Sequence, residues 1–400
     1  MISCFLYTKV IIIYMVINMG YVVKTKNDNI LKDDALAISR VASLDKGGIN
    51  ATVGAFQPFN VFPFVQEIET NLTTKEKYSY SSVDGGENFR KAVNAYLGLK
   101  DYYVVSTPGG TGAITCSVAL TLERGESLLT PYPCWGPYFG IAKGNGLKSV
   151  TYNLIKDDHF DLDDFKAKAS EIIKRENKLV FILNDPCQNP TGYSLTQEEI
   201  NALFSFLNSQ SVPISVILDM AYIDMSTETR HKSRKYLDIK LNDNVQILYC
   251  VSFSKSYQIY GQRLGALACL DEHFYKVSCF HARTTWSNCN HGMISLVEKV
   301  ELNEETKQKH KDALSIIQKE LKERSDLFLK EAKECGLKTL KYSGGFFISM
   351  PCKNNLEVYE KLKEEHIHLL PVCNIIRVAI CGLTMDEIKG LASKIKKYIE

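Results

Sequence analysis

The sequence predicts an α/β protein: a mostly parallel, doubly wound sheet flanked by helices, with a second, smaller α/β domain. Three observations carry that prediction. Apolar runs of strand length recur at residues 127–130, 179–183, 212–218 and 246–251. Polar or glycine-rich residues follow each run directly, and helix-like patterns separate the runs. Unbroken apolar runs suit strands covered on both faces, and ligands of such sheets sit outside the carboxyl edge.

At 400 residues the chain is long enough for two domains, and 45% hydrophobic with 24% charged residues is the balance of a globular protein. A formal net charge of +2 offers no electrostatic hold on nucleic acid or an anionic membrane. The twelve cysteines are scattered, with no Cys-x-x-Cys pair and no His/Cys run at zinc spacing. Reduced thiols in a cytoplasmic protein are therefore expected, and no metal. Residues 10–17 form an apolar run too short to span a bilayer, with one lysine before it and no small-x-small cleavage site after it. The expectation is a start codon placed too far upstream, with Met19 beginning the functional chain; a signal peptide is the alternative. The sequons at Asn50 and Asn71 carry no meaning in a cytoplasmic protein.

Taken in order, residues 49–56 are a short apolar segment containing Gly54, where glycine serves either a close backbone approach or an ordinary turn. Residues 78–86 are polar, aromatic and glycine-rich, ahead of a helical pattern over 87–97. A tyrosine of that loop could meet an anion or simply face solvent. Residues 104–113 say more: a β-branched strand meets Pro108-Gly109-Gly110-Thr111-Gly112, and a helix follows to about Leu122. Backbone N–H groups at that helix start, with the Thr111 hydroxyl, make a phosphate cradle. The Lys-Ser/Thr of a nucleotide P-loop and the spacing of a dinucleotide fingerprint are both missing. Residues 131–138 form a proline-rich loop holding Trp135, one of two tryptophans, which either stacks on a planar cofactor or anchors the loop. The strand at 179–183 runs into the turn dipeptides Asn189-Pro190 and Thr191-Gly192, and Thr196 with Glu199 forms a capping box for the next helix. The strand at 212–218 ends at Asp219, with Tyr222 just beyond. A carboxylate at such a strand end pairs with a cation, for instance a protonated pyridine nitrogen, or else caps a helix.

The strand at 246–251 leads into Ser252-Phe253-Ser254-Lys255-Ser256, and Arg263 follows eight residues after the lysine. Partial desolvation lowers an amine pKa and makes Lys255 a nucleophile. Two serines and an arginine suit a phosphate, and a phosphate beside a reactive lysine points to pyridoxal phosphate held as a Schiff base. Taken alone, Ser-x-Ser-Lys is more often a solvated turn than a site. All these candidates lie at one sheet edge, which argues for one shared site. Residues 281–288 put Arg283 in a polar loop, and residues 295–335 read as one or two charged helices leading to the second domain. That domain takes strands at 346–350 and 375–380, a helix near 356–366, and a final helix opened by a capping box, Thr384 with Glu387. Arg377 stands inside an apolar strand and needs an anion; a substrate carboxylate is the natural one.

The Gly109-Gly110-Thr111-Gly112 turn, Asn189-Pro190-Thr191-Gly192, Asp219-x-Ala221-Tyr222, Ser252-x-Ser254-Lys255 with Arg263, and Arg377-Val378 occur in a telling order. Over about residues 49–384 the chain resembles the fold-type I pyridoxal-phosphate enzymes of aminotransferase class I, in the aspartate aminotransferase subgroup. The resemblance implies that Lys255 forms the internal aldimine and moves the substrate Cα proton. It implies that Asp219 pairs with the pyridinium nitrogen, and that Tyr222 and Asn189 bond the phenolic oxygen. Trp135 would stack on the ring. Gly110, Thr111, Ser252 and Arg263 would hold the phosphate, with Tyr80 reaching in from a second subunit. Arg377 would grip the substrate α-carboxylate, assisted by Asn189 and by the backbone at Gly54. Arg283, followed by Ser287 and Asn288, would come from the neighbouring subunit and bind a distal carboxylate. Aspartate, glutamate and their 2-oxoacids are thus the implied substrates, and a homodimer the implied assembly. The implied division is an N-terminal extension over 1–30, a large domain over 60–312, and a small domain from 31–59 with 313–400.

There are departures: the Thr284-Thr285 and Cys289-Asn290 neighbourhood around Arg283 differs, which loosens the substrate reading, and two histidines are replaced. A histidine that many relatives carry behind the pyridine-pairing aspartate is Tyr138 here, and another, before the Asn-Pro-Thr-Gly loop, is Gln188. Both bear on the tuning of the ring nitrogen. Three rivals remain: an aromatic aminotransferase keeping both arginines, other chemistry on the same cofactor, and a DNA-binding regulator on the same fold. Residues 1–48 are too short and insufficiently basic for the last.

Overall fold

Seven strands build the central sheet: β1 Tyr103–Thr107, β2 Ser127–Tyr132, β3 Lys148–Asn153, β4 Leu179–Asn184, β5 Ile214–Asp219, β6 Val245–Ser252 and β7 Gly265–Cys269. This computed structural model describes residues 35–228, 231 and 238–399, so the expected extension over 1–30, with Met19, lies outside the described residues. The strands lie in the order β1-β7-β6-β5-β4-β2-β3, and only β7 runs against the others. Leu179, Phe181 and Leu183 of β4 face one buried cluster, while Val180 and Ile182 face another. Strand β5 repeats the alternation with Ile214, Val216 and Leu218 against Ile217. Two covered faces are why these strands read as unbroken apolar runs. Each such side chain, fully buried, contributes about 1.5–3 kcal/mol.

Helices Gly109–Thr121, Pro137–Gly144, Leu162–Glu176 and Gln197–Asn208 make the crossovers. The last begins at the expected capping box: Glu199 N–H donates to Thr196 Oγ1 at 3.2 Å, and Thr196 N–H donates to Glu199 Oε2 at 2.8 Å. Because six strands point the same way, the residues after β1, β2, β4, β5 and β6 all gather at one edge.

A second sheet joins β8 Phe347–Pro351, β9 Leu370–Val372 and β10 Ile375–Ala379, antiparallel and in the order β8-β10-β9. Arg377 sits on its central strand, opposite Ser349 and Leu370. Ile49–Asn50 pairs in parallel with Ile367–His368, which ties the early chain to this part of the molecule. Helix Glu304–Glu334 connects the two regions, after a separate helix His291–Glu301.

The structure corrects three expectations. Arg283 belongs to the last turn of helix Glu272–Thr285 and not to a loop, because Phe274, Ser278 and Ala282 recur at helical spacing on a buried face. Tyr138 lies in the first turn of helix Pro137–Gly144 and not in the preceding loop. The last helix is two, Met385–Ile388 and Leu391–Lys396, since Gly390 takes a φ of +75° between them. Among the described residues no helix is long and apolar enough to cross a membrane.

Candidate active site

Strand β6 delivers Ser252 and then a single helical turn, Phe253–Ser256. Phe253 anchors that turn, wedged edge-on against Tyr96 at 5.4 Å and Tyr257 at 5.6 Å. Ser256 is held from two sides: its hydroxyl lies 3.0 Å from Tyr96 Oη, and its carbonyl accepts from His310 Nε2 at 2.8 Å. With its neighbours Ser254 and Ser256 buried, Lys255 is the residue of this turn that opens to the cavity. Its Nζ lies 5.3 Å from the centre of the Tyr222 ring. Burial lowers the Lys255 pKa; Asp219 opposes the shift and Arg263 adds to it.

Asp219 closes β5 with its carboxylate almost fully buried. Oδ1 accepts from the Ala221 N–H at 3.0 Å and Oδ2 from the Tyr138 hydroxyl at 2.5 Å. Desolvation raises its pKa against the pull of Tyr138, the Ala221 amide and Lys255.

Strand register does the next piece of positioning. Asn184 at the end of β4 pairs with Asp219, and its Nδ2 donates to the Asp219 carbonyl at 2.9 Å. Its Oδ1 accepts from the Asn189 N–H at 2.9 Å, which pins the Asn-Pro-Thr-Gly loop. Asn189 Nδ2 then stands 3.5 Å from the Tyr222 hydroxyl. Gln188 is structural here: it donates to the Pro133 carbonyl at 2.9 Å and accepts from Thr191 Oγ1 at 2.6 Å.

Arg377 reaches the same place from the second sheet. Its Nη1 donates to Asn189 Oδ1 at 2.8 Å and its Nη2 to the Thr52 carbonyl at 2.6 Å, while the guanidinium lies 4.1 Å over the Phe347 ring. Burial brings its pKa down to about 10, so it stays charged at neutral pH. Its buried Nε has no hydrogen-bond partner among the described residues. Gly54 is needed for close approach: a Cβ there would stand 2.6 Å from Phe347 Cζ, on the ring that supports Arg377.

At the other end of the cleft, Gly109 takes a φ of +75°, and a Cβ on it would stand 2.5 Å from Arg263 Nη2. Glycine thus lets the guanidinium close over the start of helix Gly109–Thr121. Arg263 is fixed by donating from Nη1 to the Tyr260 carbonyl at 2.9 Å. Gly110, Thr111, Ser252 and Arg263 line a single cleft together with Trp135, Asn189, Asp219, Tyr222 and Lys255. Nine residues named from the sequence thus meet in one place. Asn184, Ile114 and Ala221 also line it and were not foreseen. Four others lie elsewhere on this chain. Tyr80 is 89% exposed, and Arg283 is exposed with its Nη1 donating to Ser287 Oγ at 2.6 Å. Asn288 is partly exposed beside them in sequence, outside the cleft.

The family model for aminotransferase class I and II matches residues 55–395. The chain belongs to this family. It is 27% identical to the mitochondrial aspartate aminotransferase of Saccharomyces cerevisiae over 55% of its own length, and spans only 56% of that relative. Its identity to the tyrosine aminotransferase of Dictyostelium discoideum is 25%, over 89% of this chain and 92% of that one. The solved structure of an aminotransferase from Anaerococcus prevotii superposes with a TM-score of 0.89 at 28% identity, covering 95% of this chain and all of that one.

The family depends on pyridoxal phosphate, and the residues present fit that group. A glycine start to a helix, two hydroxyls and an arginine suit a phosphate. A buried carboxylate with no cationic side chain in hydrogen-bond contact among the described residues suits a protonated pyridine nitrogen, and a lysine of lowered pKa suits an aldehyde.

Proposed function

We propose that this protein is a pyridoxal-phosphate-dependent transaminase moving an amino group between aspartate or glutamate and 2-oxoglutarate or oxaloacetate. The observation that carries the reading is the cleft itself, lined by a desolvated lysine and a buried aspartate, with an arginine of unfilled hydrogen-bonding capacity, Arg377, bonded to its lining residue Asn189. When bound, the cofactor supplies an electron sink for the charge that develops at the substrate Cα. The chain does the rest. Gly110, Thr111, Ser252 and Arg263 hold the phosphate, and Trp135 covers the ring. Asp219 holds the ring nitrogen, and Tyr222 with Asn189 holds the phenolic oxygen. Arg377 orients the substrate by its α-carboxylate, and Lys255 Nζ takes the proton from Cα.

The remaining parts of the reading concern assembly. We assign a homodimer in which Tyr80 and Arg283 of a second copy complete the site, Arg283 with Ser287 and Asn288 forming the distal-carboxylate end. The exposure of Tyr80 and Arg283 and the absence of all four residues from the lining of this chain's own cleft favour that arrangement. Residues 60–312 would form the large domain and 31–59 with 313–400 the small one, closing on the substrate through Arg377 and Gly54. Free thiols at every described cysteine agree with a cytoplasmic setting.

A second reading, an aromatic aminotransferase using 2-oxoglutarate as acceptor, is favoured by the long match to the Dictyostelium tyrosine enzyme. An absorbance spectrum of the purified protein, before and after L-aspartate and again after 2-oxoglutarate, tests both. A cofactor band that shifts with aspartate and returns with 2-oxoglutarate supports the first reading. A band that ignores aspartate and answers tyrosine selects the second, and no band after adding pyridoxal phosphate removes both.

A further inference from the structure

Tyr138 stands 81 positions from Asp219 in sequence, yet its hydroxyl is in hydrogen-bond contact with Oδ2. Its ring is 0% exposed, so the hydroxyl has no water to turn to and its placement is set by packing. The ring stands edge-on to Trp135, 5.4 Å between centres at 85°, which fixes its tilt. A carboxylate in such a pocket, 5% exposed, holds its charge only through the donors around it. Among the described residues these are two, the Ala221 amide and this phenol.

The groups facing the pair can be named. Lys255, Tyr222 and Cys250 face Asp219, and Cys134 and Cys250 face Tyr138. Of these only Lys255 can carry a positive charge; burial pushes the Tyr222 phenol and the Cys250 thiol upward, and a hydrogen bond with Cys373, with burial, does the same to Cys134. Burial and the neighbouring carboxylate drive the Tyr138 phenol well above its ordinary value too. The donor behind Asp219 therefore keeps its proton throughout the neutral range and never takes up a charge of its own.

We propose that Tyr138 is a positioning residue for the cofactor, whose hydroxyl keeps Asp219 ionised and aimed so that its hold on a protonated pyridine nitrogen does not vary with pH. The inference rests on the pyridoxal-phosphate reading of the cleft.

The test measures the dissociation constant of pyridoxal phosphate from pH 6 to pH 9 for the full-length protein and for Tyr138→Phe, expressed as a ratio. Taking the ratio cancels the titration of the cofactor's own phosphate. Losing a hydrogen bond to a charged group shifts such an equilibrium by about tenfold or more. Asp219, left with one donor, becomes harder to ionise, so the ratio should exceed about ten at pH 6 and shrink toward pH 9. A ratio that stays constant with pH would mean that Tyr138 acts by packing alone, and would overturn the proposal. Tyr138→His covers the case in which the phenylalanine variant does not fold. Imidazole takes up a proton in the neutral range, so this variant's affinity should change with pH relative to the parent; a parallel course refutes the inference. Parent protein that binds no pyridoxal phosphate at all refutes instead the reading of the cleft.

Discussion

Replacing Arg377 by lysine keeps the charge and removes the fork, and the structure sets the size of the effect. The guanidinium is committed twice, to Asn189 Oδ1 at 2.8 Å and to the Thr52 carbonyl at 2.6 Å, with its plane 4.1 Å over Phe347. An ammonium can neither lie flat on that ring nor serve both oxygens while still facing a carboxylate in two-point contact. One hydrogen bond to a charged group contributes about 1.5–3 kcal/mol, so a substrate that loses one of two contacts should lose roughly 10- to 150-fold in kcat/KM. The assay is the single-turnover half-reaction of the loaded enzyme with L-aspartate, run beside the decarboxylated analogue that lacks the α-carboxylate. If Arg377 grips that carboxylate, Arg377→Lys slows aspartate and leaves the slow analogue nearly unchanged, so the discrimination between the two collapses. An equal loss on both substrates would refute the reasoning and make Arg377 a buried structural charge.

Other outcomes follow from the same geometry. Borohydride reduction followed by mass spectrometry should place the cofactor mass on the peptide carrying Lys255, and Lys255→Ala should abolish it. Gly109→Ala forces a side chain to a φ of +75° and a Cβ to 2.5 Å from Arg263 Nη2. The strain costs about 1–2 kcal/mol, and displacement of the arginine should weaken cofactor binding by roughly tenfold, read by titration of the apoprotein. Mixing Lys255→Ala with Arg283→Ala under conditions that exchange subunits should restore dicarboxylate activity, because one composite site then has both residues; no recovery would sink the shared-site reading. Glu76 is held down to about 2 by hydrogen bonds from Lys299 and Thr73. Its folded pKa lies below the ordinary 4.5, so its stabilisation is present above that pH and is lost as pH falls toward 2. Glu76→Gln should flatten that acid limb in melting temperatures measured against pH.

The legible part of this protein is the part whose chemistry is local in sequence. Each of β1, β2, β4, β5 and β6 is an apolar run that stops at a polar residue, so Thr111, Trp135, Asn189, Asp219 and Lys255 announce themselves at strand ends. One sheet of parallel strands then brings those ends together without further information. What depends on register or on packing across the sheet stays hidden. Asn184 looks like one more turn residue, and only its pairing opposite Asp219 gives its amide two backbone partners to bridge. Arg283 reads as a loop residue because Thr284 and Thr285 beside it favour no helix, whereas the buried stripe of Phe274, Ser278 and Ala282 overrides them.

Tyr138 is the hardest case. It follows β2, and β4 lies between β2 and the strand that carries Asp219, so its contact exists only because two crossovers return to the same edge. Its local sequence, an aromatic residue after a proline, reads like a core side chain, and only the family resemblance sets it behind Asp219. Its hydroxyl shows otherwise: a purely hydrophobic site at 0% exposure would favour phenylalanine, since an unpaired hydroxyl there costs about 1–3 kcal/mol. Tyrosine is tolerable at this position only because Asp219 accepts its hydrogen bond, and Asp219 is tolerable at 5% exposure only with such donors around it. Neither residue can be explained without the other, so the two together, and not the aspartate alone, make up the site proposed for a cationic ring nitrogen.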